Sequence, residues 1–183
     1  MMAAIGHVCV QWALLENNLL AILATCQTIP LEEAAIIFGS LDMKPRLNHA
    51  ILLTRHHRWP RPLQTRIEAL RKNIDKSKLV DRRNLIVHGV HSASDLPHSV
   101  NLYTPRRKGT AQNETWSVMD AYRIGEEVKA AALEAWDIYA EIGRIKFGED
   151  FDEHLGGEFV AAPALRRARL KQYLRSRLHR VLW

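Results

Sequence analysis

Residues 82–89, RRNLIVHG, place four polar side chains around three consecutive apolar ones and stop at a glycine. If the stretch is helical, Asn84 and His88 lie on one face, where the amide can hydrogen-bond the imidazole and fix its tautomer. Arg83 projects about 140° away around the helix, but its long arm can reach the same anion. The stretch therefore predicts one point where an imidazole, an orienting amide and a phosphate-binding guanidinium meet.

A purely structural interpretation of these residues is also open. Arg82 and Arg83 can be solvated, and His88 can simply satisfy carbonyl groups at the end of a helix. A bare spacing of five from Arg to His carries little information in a chain rich in both residues. The Asn directly after the Arg and the Gly directly after the His make this instance more specific.

The segment RNLIVHG at 83–89 resembles the signature of the HEPN superfamily (higher eukaryotes and prokaryotes nucleotide-binding domain). That signature is Arg, usually followed by a polar residue such as Asn, Asp or His, and a His after four to six intervening residues, late in a core helix of a four-helix bundle. The resemblance extends from Ala4 to about Phe147. It implies that Arg83, Asn84 and His88 are catalytic residues acting without a metal or another cofactor.

The resemblance also implies a homodimer whose two motifs meet in a cleft, and often RNA cleavage in toxin or defence systems. Cleavage through the 2′-hydroxyl of RNA requires a base, an acid and positive charge on the phosphate. One motif supplies one imidazole, whereas a two-fold interface supplies two. We therefore expect a metal-independent endoribonuclease, with a cognate antitoxin as a further partner if it is a toxin. The alternative is a catalytically inactive dimer that binds RNA or a protein partner.

Two further residues are accessory candidates for this site. HEPN proteins often place a polar residue in the first helix facing the motif, where this chain has Glu16 and Asn17, although a solvent-facing pair on an amphipathic helix is the favoured explanation. Arg82 directly precedes the motif. One toxin branch of the family carries a Tyr two residues after the His, to which AMP is added; here Val90 stands there, so we do not expect that regulation.

Length, composition and charge distribution favour one domain over residues 1–158, followed by a basic tail over 159–183. The chain has 183 residues and a formal net charge of +6, but its first 158 residues carry 19 basic against 20 acidic side chains. Cys9 and Cys26 lie among apolar neighbours, so we expect reduced core residues of a cytoplasmic protein. No basic residue precedes the first apolar run, and Glu16 interrupts it, which argues against a signal peptide and a membrane span.

Helical periodicity predicts the elements that position the motif, in an all-α bundle of about four main helices. A first helix carries an apolar stripe at Val8, Trp12, Leu15, Leu19 and Ile22. A second region runs from 31 to 57 with an interruption near 40–45, and a third helix runs from 63 to a C-terminus at Gly89. Residues 91–118 predict a small hairpin or irregular loop. Ser117 and Asp120 then begin a last helix with a stripe at Ile124, Val128, Ala131, Ala135, Ile138, Ile142 and Ile145.

The basic tail is the second functional signal in the sequence. One helical face would be apolar, and the remaining positions carry seven basic residues and no acidic one: Arg166, Arg167, Arg169, Lys171, Arg175, Arg177 and Arg180. Such a helix binds RNA, an acidic partner or an anionic membrane, or docks on its own bundle. We expect RNA binding or self-docking, and no association with a membrane. No zinc-type spacing occurs in the sequence, so no metal site is expected.

Overall fold

The computed structural model describes residues 1–104, 112–148 and Phe151, and this part of the chain is mostly helical. Its elements, in chain order, are α1 (Met2–Gln27), α2 (Leu31–Phe38), α3 (Met43–His56), α4 (Arg61–Lys76), α5 (Leu79–His88), β1 (Val90–Ala93), β2 (Ser99–Thr104), β3 (Gln112–Ser117) and α6 (Val118–Phe147). The predicted helical class is therefore confirmed. The predicted domain boundary at 158 and the predicted tail helix lie outside the described residues.

The two longest helices, α1 and α6, pack against each other and run parallel. Near their starts, Nε2 of His7 lies 2.9 Å from Oε1 of Glu126. Near their ends, Nζ of Lys146 donates to the carbonyl oxygen of Thr25 at 2.5 Å. The predicted stripe of α1 is buried at all five positions. The stripe of α6 is buried except at Ala131, which is half-buried, and Ile145, which is exposed.

The start of α6 is fixed by a capping box, as the Ser-x-x-Asp spacing predicted. The backbone N–H of Asp120 donates to Oγ of Ser117 at 3.1 Å, and the N–H and hydroxyl of Ser117 donate to Oδ2 of Asp120 at 3.0 and 2.7 Å. These bonds satisfy donors at the helix start that have no intrahelical acceptor. They also lower the pKa of the Asp120 carboxyl, mainly through the bond from the Ser117 hydroxyl.

The outer face of α1 is covered over only part of its length. After a left-handed residue at Thr28 the chain turns into α2, which packs against α1. Eight residues of helix span about 12 Å, so α2 reaches only the C-terminal half of α1. Leu20 and Ala24 are accordingly buried, whereas Gly6 and Val10 in the N-terminal half are exposed. The remaining helices surround the central pair: α3 packs against α1 and α4, and both α4 and α5 pack against α6.

The prediction of one continuous third helix was wrong. The helix breaks at Ser77 and Lys78, and Lys78 takes a left-handed conformation with φ 50° and ψ 38° before α5 begins. The Ser77 hydroxyl donates to the carbonyl oxygens of Asn73 at 2.8 Å and Ile74 at 3.2 Å, which competes with continued helix formation. Because Ile74 and Leu79 are buried on either side, the apolar stripe runs through the break and hides it in the sequence.

The region predicted as a hairpin or loop forms a three-stranded antiparallel sheet in the order β1-β2-β3. Gly89 ends α5 as predicted and leads directly into β1. A Cβ atom at Gly89 would lie 2.3 Å from the carbonyl oxygen of Leu85, which explains the glycine at this junction. Leu102 on β2 is buried, and β2 contacts α5. The sheet therefore connects to the motif helix both through the chain and through packing.

Helix α1 also has a composition that is found in membrane spans. It has 26 residues, and its most apolar 18-residue window has a mean hydropathy of 1.3, enough by length and composition to cross a bilayer. Core helices meet the same criteria, and here the stripe of α1 packs against α3 and α6. Of the two cysteines on this helix, Cys9 is half-buried and Cys26 is buried; both are free, and burial raises the pKa of the Cys26 thiol to about 12.

Candidate functional site

Arg83, Asn84 and His88 meet at the C-terminal end of α5. Nη1 of Arg83 donates to Oδ1 of Asn84 at 3.0 Å and lies 3.0 Å from Nε2 of His88. A guanidinium has donors and no acceptor, so Nε2 of His88 is the acceptor in this contact and its imidazole carries the proton on Nδ1. The long arm of Arg83 thus reaches the point that the sequence predicted.

The bonding within this group differs from the expected one. We expected the Asn84 amide to bond the His88 imidazole directly, but no such bond occurs among the hydrogen bonds of the described helices. Arg83 instead bridges the two side chains through one nitrogen. A terminal guanidinium nitrogen carries two hydrogens, so Nη1 of Arg83 can donate to Asn84 and to His88 at once.

The indole of Trp12 on α1 supports the Arg83 guanidinium. Cζ of Arg83 lies 5.3 Å from the centroid of the indole ring, within the range of a cation–π interaction. Trp12 is only 4% exposed, so the ring is held by the core while one of its faces meets the charge. The sequence placed Trp12 in the core stripe of α1 and gave no sign of this contact, because it depends on how α5 packs.

The guanidinium of Arg83 also has a buried nitrogen without a partner. Its Nε is buried and has no hydrogen-bond partner. Its Nη2 likewise has no acceptor among residues 1–104, 112–148 and 151. Buried donors in native proteins are usually paired, so an unpaired one needs an explanation. Because Nε and Nη2 form the fork that binds phosphate or carboxylate in a bidentate manner, an anionic ligand would satisfy both.

Arg82 points to a different neighbour from Arg83. Its Nη1 and Nη2 donate to Oε2 and Oε1 of Glu127 on α6 at 2.5 and 3.1 Å. The side chains of successive residues diverge by about 100° around a helix, which explains why two adjacent arginines have separate partners. The structure places this accessory candidate in a bidentate ion pair that joins α5 to α6, and not with Arg83, Asn84 and His88.

The polar residues that interrupt α1 have different environments. Glu16 follows Trp12 by one helical turn and is half-buried; its carboxylate forms no hydrogen bond or ion pair within the described part of the chain. Asn17 is exposed. Asn18 donates from Nδ2 to the carbonyl oxygen of Ala132 at 2.8 Å, so it contributes to packing between α1 and α6. Glu16 therefore lies on the side of α1 that carries Trp12, without a hydrogen bond or ion pair to Arg83, Asn84 or His88.

Comparison of this chain with known proteins finds no relative. No family model matches the chain, and neither the curated proteins nor the solved structures contain a match. The chemical interpretation of the motif therefore depends on residues 83–88 and the side chains around them.

A concavity lies between α4 and α6, with Leu79 at the start of α5 also in its lining. It encloses about 420 Å³ and has an apolar floor that includes Leu70 and Ile74. Arg66 on its rim donates from Nε to Glu134 at 2.9 Å and from Nη1 to Glu141 at 2.6 Å, and these bonds raise the pKa of the Arg66 guanidinium. One guanidinium there meets two carboxylates, so this part of the rim is net acidic, and within the described residues Arg66, Glu134 and Glu141 are all held in ion pairs.

Metal ligands do not cluster in the described structure. Among residues 1–104, 112–148 and 151, no group of three or more His, Cys, Asp or Glu side chains is arranged to hold a metal ion. The seven basic residues of the tail, Arg166 to Arg180, lie outside these residues. The candidate site is therefore the group formed by Arg83, Asn84 and His88 above Trp12.

Proposed function

We propose that this chain is a metal-independent endoribonuclease of the HEPN type, in which two subunits contribute Arg83 and His88 to one site. The observation that supports it is the 3.0 Å contact between Arg83 and His88, made by a guanidinium whose phosphate-binding fork is unpaired. An imidazole that can accept a proton and a cation beside it are the groups that RNA cleavage requires. RNA as substrate is consistent with a cytoplasmic location.

In this mechanism the 2′-hydroxyl of RNA attacks the adjacent phosphorus. Nε2 of His88 removes the 2′-hydroxyl proton, the bond from phosphorus to the 5′-oxygen breaks, and the products are a 2′,3′-cyclic phosphate and a free 5′-hydroxyl. Arg83 stabilises the charge that develops on the phosphate. Because Arg83 occupies the lone pair of Nε2 in the absence of RNA, the guanidinium must move from His88 to the phosphate before the base becomes available.

The departing 5′-oxygen needs a proton, and one motif offers one imidazole at the site. In a two-fold dimer, the second His88 supplies this proton while the first acts as base. Asn84 keeps a positioning role, since its Oδ1 holds Nη1 of Arg83. If the chain is a toxin, a cognate antitoxin would act by covering the Arg83 and His88 group or by separating the subunits.

The direct test is cleavage of single-stranded RNA by the purified full-length protein in EDTA. We expect a 2′,3′-cyclic phosphate product and no cleavage of DNA of the same sequence. His88→Ala should reduce the cleavage rate by roughly 10²–10⁴-fold, the range of general acid–base groups. His88 is exposed at a helix end, so this variant should keep its circular dichroism spectrum. His56→Ala, which removes an exposed histidine from α3, is the matched control and should cleave like the wild type.

The second candidate is a catalytically silent dimer that binds RNA or a protein partner. It is favoured by the closed contacts among Asn84, Arg83 and His88, which leave no free lone pair on Nε2 in the structure described. Equal cleavage by the wild type and His88→Ala would remove the ribonuclease assignment. RNA binding by both proteins without any cleavage would establish the silent module in its place.

A further inference from the structure

We infer that the turn between α3 and α4 is a second binding site for single-stranded RNA, separate from the motif. This basic turn runs from His57 to Arg61 and has the sequence HRWPR. His57, Arg58 and Arg61 are exposed, and Trp59 is half-buried. RNA as the ligand rests on the proposed function, whereas the site itself rests on the charges and rings of the turn.

The basic turn lies in a stretch of the chain that has no acidic side chain. Residues 43–67 contain six basic side chains and no Asp or Glu. The rest of residues 1–158 carries 13 basic against 20 acidic side chains and is net acidic. The positive charge of the domain is therefore concentrated in α3, the basic turn and the start of α4. A local concentration of this kind attracts the phosphate backbone of a nucleic acid, even though the domain as a whole carries little charge.

Two arginines of the basic turn are available to bind phosphate. The guanidinium groups of Arg58 and Arg61 form no hydrogen bond or ion pair with the residues that the structure describes. Arg55, just before the turn, is already paired, because its Nη2 donates to Oε1 of Glu68 at 2.7 Å. Guanidinium groups bind phosphate oxygens through parallel N–H donors. The turn therefore offers two unpaired cations to the backbone of one strand.

Two rings beside these arginines provide surfaces on which bases can stack. The ring centroids of His57 and Trp59 lie 6.1 Å apart, and the ring planes are inclined by 35°. Trp59 packs against the hydrophobic core, so the orientation of its indole is fixed by packing. Cations next to aromatic rings are typical of sites for single-stranded nucleic acid, because every base has a face that can stack and every nucleotide has a phosphate.

The backbone holds these side chains in a fixed arrangement. The N–H of Trp59 donates to the carbonyl oxygen of Thr54 at 3.0 Å, and the carbonyl oxygen of Trp59 accepts from Nε2 of Gln64 at 2.7 Å. Arg58 takes a left-handed conformation with φ 53°, which is common just after the end of a helix. The turn is thus bonded to α3 on one side and to α4 on the other. Because the site is already formed, little conformational entropy is lost on binding.

The length of α4 separates the basic turn from the motif. The turn precedes α4, whereas the motif lies in α5, beyond the other end of α4. The 16 residues of α4 span about 24 Å. Contacts at this distance from the reacting phosphate are the same before and during cleavage, so they lower KM and leave kcat unchanged. The turn therefore holds RNA that extends beyond the cleaved bond and favours long substrates over short ones.

Binding by the full-length protein tests the basic turn independently of cleavage. The probe is a fluorescein-labelled 2′-O-methyl oligouridine, which has no 2′-hydroxyl to attack, and its anisotropy gives the binding constant at several salt concentrations. Arg58→Gly removes one guanidinium, and the fold is kept because glycine takes the left-handed conformation without strain. We expect the slope of log K against log salt to flatten by about 0.7, which corresponds to one lost phosphate contact.

Lys78→Gly is the matched control for this variant. Lys78 is also exposed and left-handed, with φ 50°, but it lies between α4 and α5. Its replacement removes the same charge and relieves the same backbone conformation, so the slope should stay that of the wild type. Trp59→Leu keeps the charges of the turn and removes the indole. It should weaken binding by roughly 5–150-fold, the range for one stacked base, without changing the slope.

A photo-cross-link locates the bound strand directly. The same probe with 5-iodouridine should, after irradiation and digestion, be found by mass spectrometry on His57 or Trp59. Cross-links confined to residues 159–183 would assign RNA binding to the basic tail and overturn the site at the turn.

The remaining outcomes separate the basic turn from the proposed activity. If Arg58→Gly and Lys78→Gly bind the probe equally well, the turn is not a binding site, and loss of cleavage in His88→Ala would still support the ribonuclease. Weaker binding by Arg58→Gly, together with a wild type that cleaves no RNA, keeps the turn and removes the ribonuclease. With a cleaving wild type, Arg58→Gly should raise KM for RNA at unchanged kcat; a lower kcat at unchanged KM would contradict a role in holding the strand.

Discussion

Nη1 of Arg83 lies 3.0 Å from Nε2 of His88, and the neighbouring Arg82 is bound to Glu127 instead. Two identical side chains, adjacent in sequence, therefore differ in every partner. One belongs to the candidate site, and the other joins α5 to α6. This difference allows catalysis and stability to be separated by two matched substitutions.

The first prediction concerns this pair of arginines. Arg83→Gln should lower the rate of RNA cleavage by about 10²–10³-fold, the usual loss when one donor to the reacting group is removed. Arg82→Gln should leave cleavage within a few-fold of the wild type and lower the free energy of unfolding by about 0.2–1 kcal/mol, since the pair with Glu127 is partly exposed. Single-turnover cleavage and urea unfolding measure the two effects. Equal loss of cleavage in both variants would mean that Arg82 also acts on the substrate.

The second prediction concerns the ring beneath Arg83. Trp12→Phe keeps an aromatic face under the guanidinium, whereas Trp12→Leu removes it and with it an interaction of roughly 1–2 kcal/mol when desolvated. We expect Trp12→Leu to lower kcat/KM for RNA about tenfold more than Trp12→Phe. Both variants lose packing in the core, so their unfolding free energies should be measured as well. If the difference in kcat/KM between the two variants is fully accounted for by their difference in unfolding free energy, Trp12 has only a packing role.

The sequence predicted the residues of the candidate site better than their contacts. The Asn, His and Gly that follow Arg83 made the motif recognisable, because their spacing predicts which side chains lie close together at the end of a single helix. The roles of Trp12 and Glu127 could not be predicted, since they are set by the packing of α1 and α6 against α5. The break at Lys78 was missed for another reason: lysine rarely takes a left-handed conformation, and the apolar stripe continues past it.

The third prediction concerns the capping box of α6 and pH. The pKa of Asp120 is lowered in the folded protein, so its contribution to stability is fully present above the unfolded pKa of about 3.9 and is lost as pH falls through the folded value. Ser117→Ala removes the main cause and should lower the free energy of unfolding at pH 7 by about 0.5–2 kcal/mol. The difference from the wild type should shrink below about pH 4.

Urea unfolding of both proteins across this pH range measures the effect. Asp120→Asn is the control, because it has no carboxyl to titrate and its stability should vary less with pH than that of the wild type. A difference between Ser117→Ala and the wild type that stays constant from neutral pH to pH 3 would contradict the assignment of the effect to the Asp120 carboxyl.

The fourth prediction concerns the basic tail, whose seven cations are known from sequence alone. If the tail binds RNA, a chain ending at Glu158 should lose up to about 0.7 units of the slope of log K against log salt for each phosphate contact removed. Cleavage of RNA at saturating concentration should continue, because Arg83 and His88 remain. Binding measured by fluorescence anisotropy at several salt concentrations gives the slope. An unchanged slope would assign the tail to docking on the bundle or to another partner.

The parallel packing of α1 and α6 determines where an affinity tag can be attached safely. Because the helices run in the same direction, Met1 lies at the end of the bundle where β3 enters α6, and Phe147 lies at the opposite end. The 30 residues of α6 separate these ends by about 45 Å. A tag fused ahead of Met1 would begin at the end of the bundle where the sheet joins α6. Histidine tags for the assays above should therefore be attached after the C-terminal residue.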